Sequence, residues 1–202
     1  MIKQIEAYEP YNEQEERDKE IILSMLTEAE RMGEDIFSRE NRMAHMTASA
    51  WVVNRDRTKV LLAYHNIYNS WAWLGGHADG ERNLLSVAVR EVCEESSLTP
   101  AHVRPAWLIS QKGDLSQGSA GDIFSLEVLA VDGHFKKGEY ISSHLHLNVT
   151  YLLEADEEET LYKKEDENSS VKWFLPEEAL AVSSEPWFAE HIYRKLNEKA
   201  GF

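Results

Sequence analysis

The chain is poor in cysteine, in long apolar runs and in basic side chains, and each shortage closes off a class of explanation. Its 202 residues hold a single cysteine, Cys93. No intrachain disulfide can form, and no cysteine cluster can bind zinc. That usage suits a reducing compartment. No uninterrupted apolar stretch approaches the roughly 20 residues a membrane-spanning helix needs. The opening segment Met1-Ile2-Lys3-Gln4-Ile5-Glu6 lacks the apolar core of a signal peptide. A soluble cytoplasmic protein is the expectation. Lys and Arg total 21 against 36 Asp and Glu, a formal net charge of -15. Such a surface repels nucleic-acid backbone and anionic lipid, so no nucleic-acid polymer and no membrane are expected as partners. It also opposes an anionic small molecule, unless a bound cation intervenes. Internal repeats and low-complexity linkers are absent as well.

What is present reads as one packed domain with a terminal addition. Hydrophobic residues make up 43%, enough for a globular core. From Asn12 to about Met32, Ile22, Leu26, Ala29 and Met32 recur at helical spacing, with Asn12 as N-cap and Gly33 as stop. A second short helical piece is expected around Ile36 and Phe37. Residues 1–41 are therefore expected to form a helical extension packed on a main domain of residues 42–202, being too small to bury a core alone. The same helix is also suited to cover a second subunit, which leaves a homodimer open.

Strands are expected at Met46 to Val53 and Lys59 to Tyr64, then at Val103 to Gln111, Ile123 to Val131, His146 to Glu154 and Val171 to Phe174. Helices are expected from Asn83 to Ser96, Pro176 to Ala181 and Pro186 to Lys199, with a short one after Thr99-Pro100. Mixed strands with helices outside them indicate an α/β layered domain.

Within the Asn83–Ser96 helix, Glu91, Glu94 and Glu95 stand at i, i+3 and i+4, so their carboxylates share a face. Like charges so spaced oppose one another by roughly 0.2–0.5 kcal/mol per pair even on an exposed helix. Arg90 offsets part of that. Hard carboxylate oxygens suit Mg²⁺ or Mn²⁺, which keep several waters and bridge to substrate phosphates. Acidic triplets alone more often mark a solvated helix end. The balance shifts because Gly75-Gly76 closes the preceding strand, where glycine lets backbone approach a ligand.

This strand, glycine loop and acidic helix resemble the Nudix box, G-x5-E-x7-R-E-U-x-E-E-x-G-U with U apolar. Gly76 takes the first position, Arg90-Glu91 the central pair, Val92 the apolar site, Glu94-Glu95 the acidic pair and Leu98 the last, without gaps. Two positions depart. Arg82 stands where the family has its first glutamate, with Glu81 and Asp79 nearby as substitutes, and Ser97 stands where it has a glycine. The resemblance implies an α/β/α sandwich around a mixed sheet, and hydrolysis of a nucleoside diphosphate linked to another group. It implies Glu91, Glu94 and Glu95 as catalytic metal ligands, with the Gly75 carbonyl as a further ligand. Gly76 and Arg90 would be structural supports, Arg90 by orienting Glu91. Glu167, ahead of Val171-Lys172-Trp173-Phe174, matches the acidic residue that serves many relatives as general base; one of the helix glutamates is the alternative.

Three further residues are candidate substrate contacts. His77 follows the glycines directly. His146 alternates with His144 on a strand, so the two share a face. With His77 they suggest a nitrogen-rich site, but no third ligand is fixed by spacing, and substrate contact or packing is the preferred reading. Trp71 is the better placed aromatic to stack on a base, while Trp73 suits the core. Cys93 reads as a buried small apolar residue. The leading expectation is a Mg²⁺- or Mn²⁺-dependent pyrophosphohydrolase acting on a small phosphate-containing substrate. A catalytically weak or inactive nucleotide-binding module on the same fold is the alternative, favoured by Arg82 and Ser97. An isoprenyl diphosphate isomerase needs a cysteine in the pocket, and Cys93 is poorly placed for it.

Overall fold

The structure is a computed structural model that describes residues 1–67, 69–106, 121–136, 138–164 and 168–202. Helices α1 (Ile2–Ala7) and α2 (Glu13–Met32) lead into strands β1 (Ala44–Asn54), β2 (Val60–His65), β3 (Ser70–Ala72) and β4 (Leu74–His77). After α3 (Leu84–Ser96) come β5 (Val103–Pro105), β6 (Ile123–Val131), β7 (His134–Lys136), β8 (Glu139–Ile141), β9 (His144–Ala155) and β10 (Asn168–Phe174). The chain closes with α4 (Pro176–Val182), α5 (Pro186–Phe188) and α6 (Arg194–Ala200). Strands β10, β2, β1, β9 and β5 are hydrogen-bonded neighbours in that order. β3 joins β2, β4 joins β1, and β6 joins β9. The fold is α/β, with a mixed sheet and flanking helices, as the element order implies.

The described chain divides into two compact units. The first comprises Met1–Ala48, Gly76–Val87 and Ile123–Thr150. In it, the Asn12 side chain accepts the Glu15 amide at 3.0 Å, and Gly33 ends α2 in the left-handed region at φ 71°. Ile22, Leu26 and Ala29 are buried, but Met32 is 59% exposed, so the apolar stripe stops a turn early. The polar face of α2 has its own task. Gln14 Nε2 donates to the Leu126 carbonyl at 3.1 Å, and the Val128 amide donates to Asp18 at 2.9 Å, so α2 side chains satisfy main-chain groups of β6.

Beneath them lies a buried polar network. Glu15 and Glu127 are both fully buried, and the Ser125 hydroxyl bonds a carboxyl oxygen of each. The Tyr8 hydroxyl and the Tyr11 amide donate to the far oxygen of Glu15. Asn148 and Thr150 donate to Glu127 at 3.0 and 2.8 Å, and Thr47 donates to Asn148 at 2.9 Å. Burial and the Glu15 charge push the Tyr8 phenol far above its usual range.

Around Ile36 and Phe37 the chain forms turns and no helix. Both side chains are buried, and their carbonyls accept the amides of Met46 at 2.8 Å and Gly80 at 2.9 Å. Those partners take the carbonyls a helix would need. Helix α1 was not foreshadowed; six residues with one buried side chain, Ile5, carry no readable periodicity. Nor was the β7–β8 hairpin.

The second unit comprises Ser49–Gly75, Ala88–Asp122 and Tyr151–Phe202. Strand β10 pairs antiparallel with β2, Val171 opposite Ala63 and Trp173 opposite Leu61. Trp51 stacks on Tyr193 at 5.4 Å between centroids, and Trp73 meets Tyr193 edge-on at 5.7 Å. All three are buried, which puts Trp73 in the core as expected. The expected Pro186–Lys199 helix is interrupted by a π-turn at Ala189–Tyr193. Strand β5 ends at Pro105, and residues 107–111 of its expected extension lie outside the described residues.

Candidate active site

Helix α3 begins where the Asn83 side chain accepts the Ser86 amide at 3.2 Å and the Asn83 carbonyl accepts the Val87 amide. Leu84, Val87, Ala88 and Val92 are fully buried and fix its rotation. The three acids then meet three different environments. The Glu95 side chain is only 2% exposed, Glu91 13% and Glu94 44%. Glu95 Oε1 accepts the Gly75 amide at 3.3 Å, which fastens the glycine loop to the helix. The imidazole of His65 on β2 stands 3.7 Å from Glu95 Oε2. Asn168, the first residue of β10, donates to the Glu95 carbonyl at 3.0 Å.

Glu91 accepts from Arg90 at 2.7 Å, and Arg90 Nε also lies 3.8 Å from Glu94. Lys164 bonds the other oxygen of Glu94 at 3.0 Å. Each carboxylate thus has a counter-group of its own. The three do not converge: among the described residues, they are not a set with ligand atoms within 4.8 Å of one another. As a donor set they still fit a hard divalent ion, because Glu91 and Glu95 stand one turn apart with oxygens largely shielded from water. Spacing gave no hint of His65, Lys164 or Asn168, which come from other strands and loops.

The departures from the box have concrete surroundings. Arg82 pairs with Asp35 at 2.9 Å and lies over the Phe37 ring, 4.4 Å from its centroid. Asp79 forms a two-point bridge to Arg39 at 2.6 and 2.5 Å, and Glu81 accepts the Asn83 amide at 2.7 Å. Both acids suggested as substitutes for the first glutamate are engaged elsewhere. Ser97 adopts the left-handed conformation, φ 61°, that the family's glycine would take freely. Its amide bonds the Cys93 carbonyl at 2.9 Å, ending the helix.

The model of the NUDIX domain family matches residues 43–196. The chain belongs to the Nudix family. Solved structures agree on the fold. A Caenorhabditis elegans Ap4A hydrolase in a binary complex is 17% identical, with 76% of this chain and 93% of that one covered and a TM-score of 0.50. The RenU Nudix hydrolase of Mycobacterium smegmatis is 15% identical, with 78% and 84% covered and a TM-score of 0.50. The MutT protein of Methanosarcina mazei Go1 is 14% identical, with 80% and 99% covered and a TM-score of 0.51. No curated protein sequence matches.

The remaining candidate residues have these surroundings. Gly76 and His77 are half-buried in β4. Trp71 is half-buried, with Phe174 edge-on at 4.8 Å, Tyr64 at 5.5 Å and the Lys172 ammonium 5.7 Å from its ring. Cys93 is half-buried, and its thiol is pushed up by burial and then by Glu94. Glu167 lies outside the described residues.

Imidazoles form a second cluster, in the first unit. His45, His144 and His146 have ligand nitrogens all within 4.8 Å of one another. The His77 ring packs against His45 at 5.1 Å and against His146 at 5.0 Å. Burial, then the neighbouring imidazoles, lowers the pKa of His146 to about 2. Burial also lowers that of His45. His45 is the third imidazole that spacing could not supply: it lies on β1, about a hundred residues from its partners and one of eight histidines.

Proposed function

We propose that this Nudix protein is a divalent-metal-dependent pyrophosphohydrolase that cleaves the diphosphate linkage of a nucleoside diphosphate derivative. The observation that carries the reading is the buried Glu95 carboxylate tied to the Gly75 amide of the glycine loop, with Glu91 one turn before it. A carboxylate so shielded is stabilised by positive charge, which a bound cation supplies. Glu91, Glu95 and the more exposed Glu94 would hold Mg²⁺ or Mn²⁺, with the Gly75 carbonyl as a further oxygen. When bound, such an ion neutralises phosphate charge and lowers the pKa of the attacking water.

The chain's own groups do the positioning. Arg90 fixes the Glu91 carboxylate, and the Gly75 amide fixes that of Glu95. Lys164 sits beside Glu94 as a cation within reach of an anionic substrate. Glu167 is the proposed general base, taking a proton from water. Lys164 and Asn168 hold Glu94 and the Glu95 carbonyl. His77, Trp71 and His146 are proposed substrate contacts, and cytoplasmic action as a monomer or homodimer completes the proposal. Residues 1–41 are proposed as an extension of the Nudix domain at 42–202.

The test is a panel of nucleoside diphosphate derivatives with Mg²⁺ or Mn²⁺, products identified, in wild type and Glu95→Gln. Turnover that Glu95→Gln abolishes is expected. The engagement of Arg82, Asp79 and Glu81 with other partners favours a second reading, a nucleotide-binding module. Nucleotides that raise the melting temperature without turnover anywhere in the panel would decide for it.

A further inference from the structure

We infer that His45, His144 and His146 form a transition-metal site, separate from the glutamates of α3, which takes a zinc-type divalent ion on three imidazole nitrogens with a fourth position open. Two of the three tautomers are set for it. His45 Nδ1 lies 3.0 Å from the Asn41 carbonyl, and His144 Nδ1 lies 2.9 Å from the Ser142 carbonyl. A carbonyl only accepts, so each Nδ1 carries the proton and each Nε2 presents its lone pair. Backbone carbonyls that orient an imidazole in this way are the usual outer partners of metal-binding histidines.

The Nε2 of His45 is buried without a hydrogen-bond partner, in a residue only 4% exposed. A buried lone pair left so is costly unless something electrophilic meets it. His144 Nε2 accepts a hydrogen bond from His146 Nε2 at 3.2 Å, through a proton that an incoming metal ion would displace. Nitrogens 2.0–2.1 Å from one tetrahedral ion stand roughly 3.3–3.4 Å apart, so this pair is already spaced for shared coordination. Closing the whole set from 4.8 Å takes ring movements on the order of 1 Å. Imidazole-only donors select zinc, nickel, copper or iron over Mg²⁺, whereas the carboxylates of α3 have the opposite preference. His77, packed on His45 and His146, walls the cluster.

The 202-residue protein, stripped with a chelator, is titrated with Zn²⁺ alone by calorimetry and with Co²⁺ alone by visible absorption, both under excess Mg²⁺. One equivalent should bind, and Co²⁺ should show the intense bands of a tetrahedral nitrogen site. His45→Gln and His144→Gln should each weaken Zn²⁺ binding at least about tenfold. If buried His45→Gln fails to fold, the half-exposed His144→Gln gives the same reading, with circular dichroism as the fold control. Glu91→Gln and Glu95→Gln should leave Zn²⁺ affinity unchanged, whether or not the chain hydrolyses nucleotides. The proposal is overturned if wild type binds no Zn²⁺, if His144→Gln binds it as tightly as wild type, or if Glu95→Gln removes the site.

Discussion

The acidic helix α3 and the histidine cluster differ first in how the chain assembles them. Glu91, Glu94 and Glu95 lie within five consecutive residues of one helix, so 3.6-residue periodicity alone gives them a common face. His45 comes from β1 and His144 and His146 from β9, and only strand pairing and tertiary packing bring them together. They differ also in charge. The carboxylates repel one another and each holds a local counter-group, Arg90, Lys164 or the Gly75 amide. Burial disfavours the charged forms of His45 and His146, so those two imidazoles can crowd with little repulsion. A charged ligand set stays open until a cation draws it in, whereas a neutral set can be packed in advance.

The sharpest way to break this contrast is Glu95→Gln. Turnover of a nucleoside diphosphate derivative should fall by about 10²–10⁴-fold, the range for loss of a positioned catalytic group, measured as steady-state product release. Lys164→Ala should act in the opposite direction on metal binding. Without that ammonium at 3.0 Å, Glu94 is more available, and the Mg²⁺ concentration for half-maximal rate should fall a few-fold. An unchanged Mg²⁺ dependence would mean that Glu94 does not share in the ion.

Smaller effects probe the departures from the Nudix box. Arg82→Ala removes an exposed pair with Asp35 and the contact with Phe37, and should cost about 0.5–1 kcal/mol in denaturant unfolding. A larger loss would show that Arg82 anchors the segment around Phe37 far more firmly. Ser97→Gly relieves the left-handed strain at φ 61° and should stabilise by up to about 1 kcal/mol. In a chain this long that is a rise of roughly 2–4 °C in melting temperature. A fall would show that the serine's own contacts outweigh the strain.

The same contrast explains what sequence could reveal. Helices α2 and α3 were legible to within a residue or so, because caps and apolar spacing are local signals. So was the pairing of Gly76 with Leu98 around the acids, which is a matter of counting. Turns at Ile36 and Phe37 were misread because their carbonyls bond residues far along the chain, Met46 and Gly80. The π-turn at Ala189–Tyr193 leaves no mark on an apolar pattern that Ile192 and Leu196 still satisfy. His65, Lys164 and Asn168 belong to the acidic site through tertiary contacts alone, as His45 does to the imidazoles.

The bridge from α2 to β6 bears on how this protein should be shortened. The family match starts at residue 43, which invites a trimmed version beginning there. Such a cut removes Tyr8, Gln14, Glu15 and Asp18 at one stroke. The Leu126 carbonyl and the Val128 amide would then face water as a bare strand edge, open to pairing with another chain. Ser125 would lose its Glu15 partner, and the network around Glu127 would lose its cover. The family boundary is a limit of resemblance; the contacts that hold β6 reach back to Tyr8, whose hydroxyl also bonds the Phe124 carbonyl at 3.2 Å.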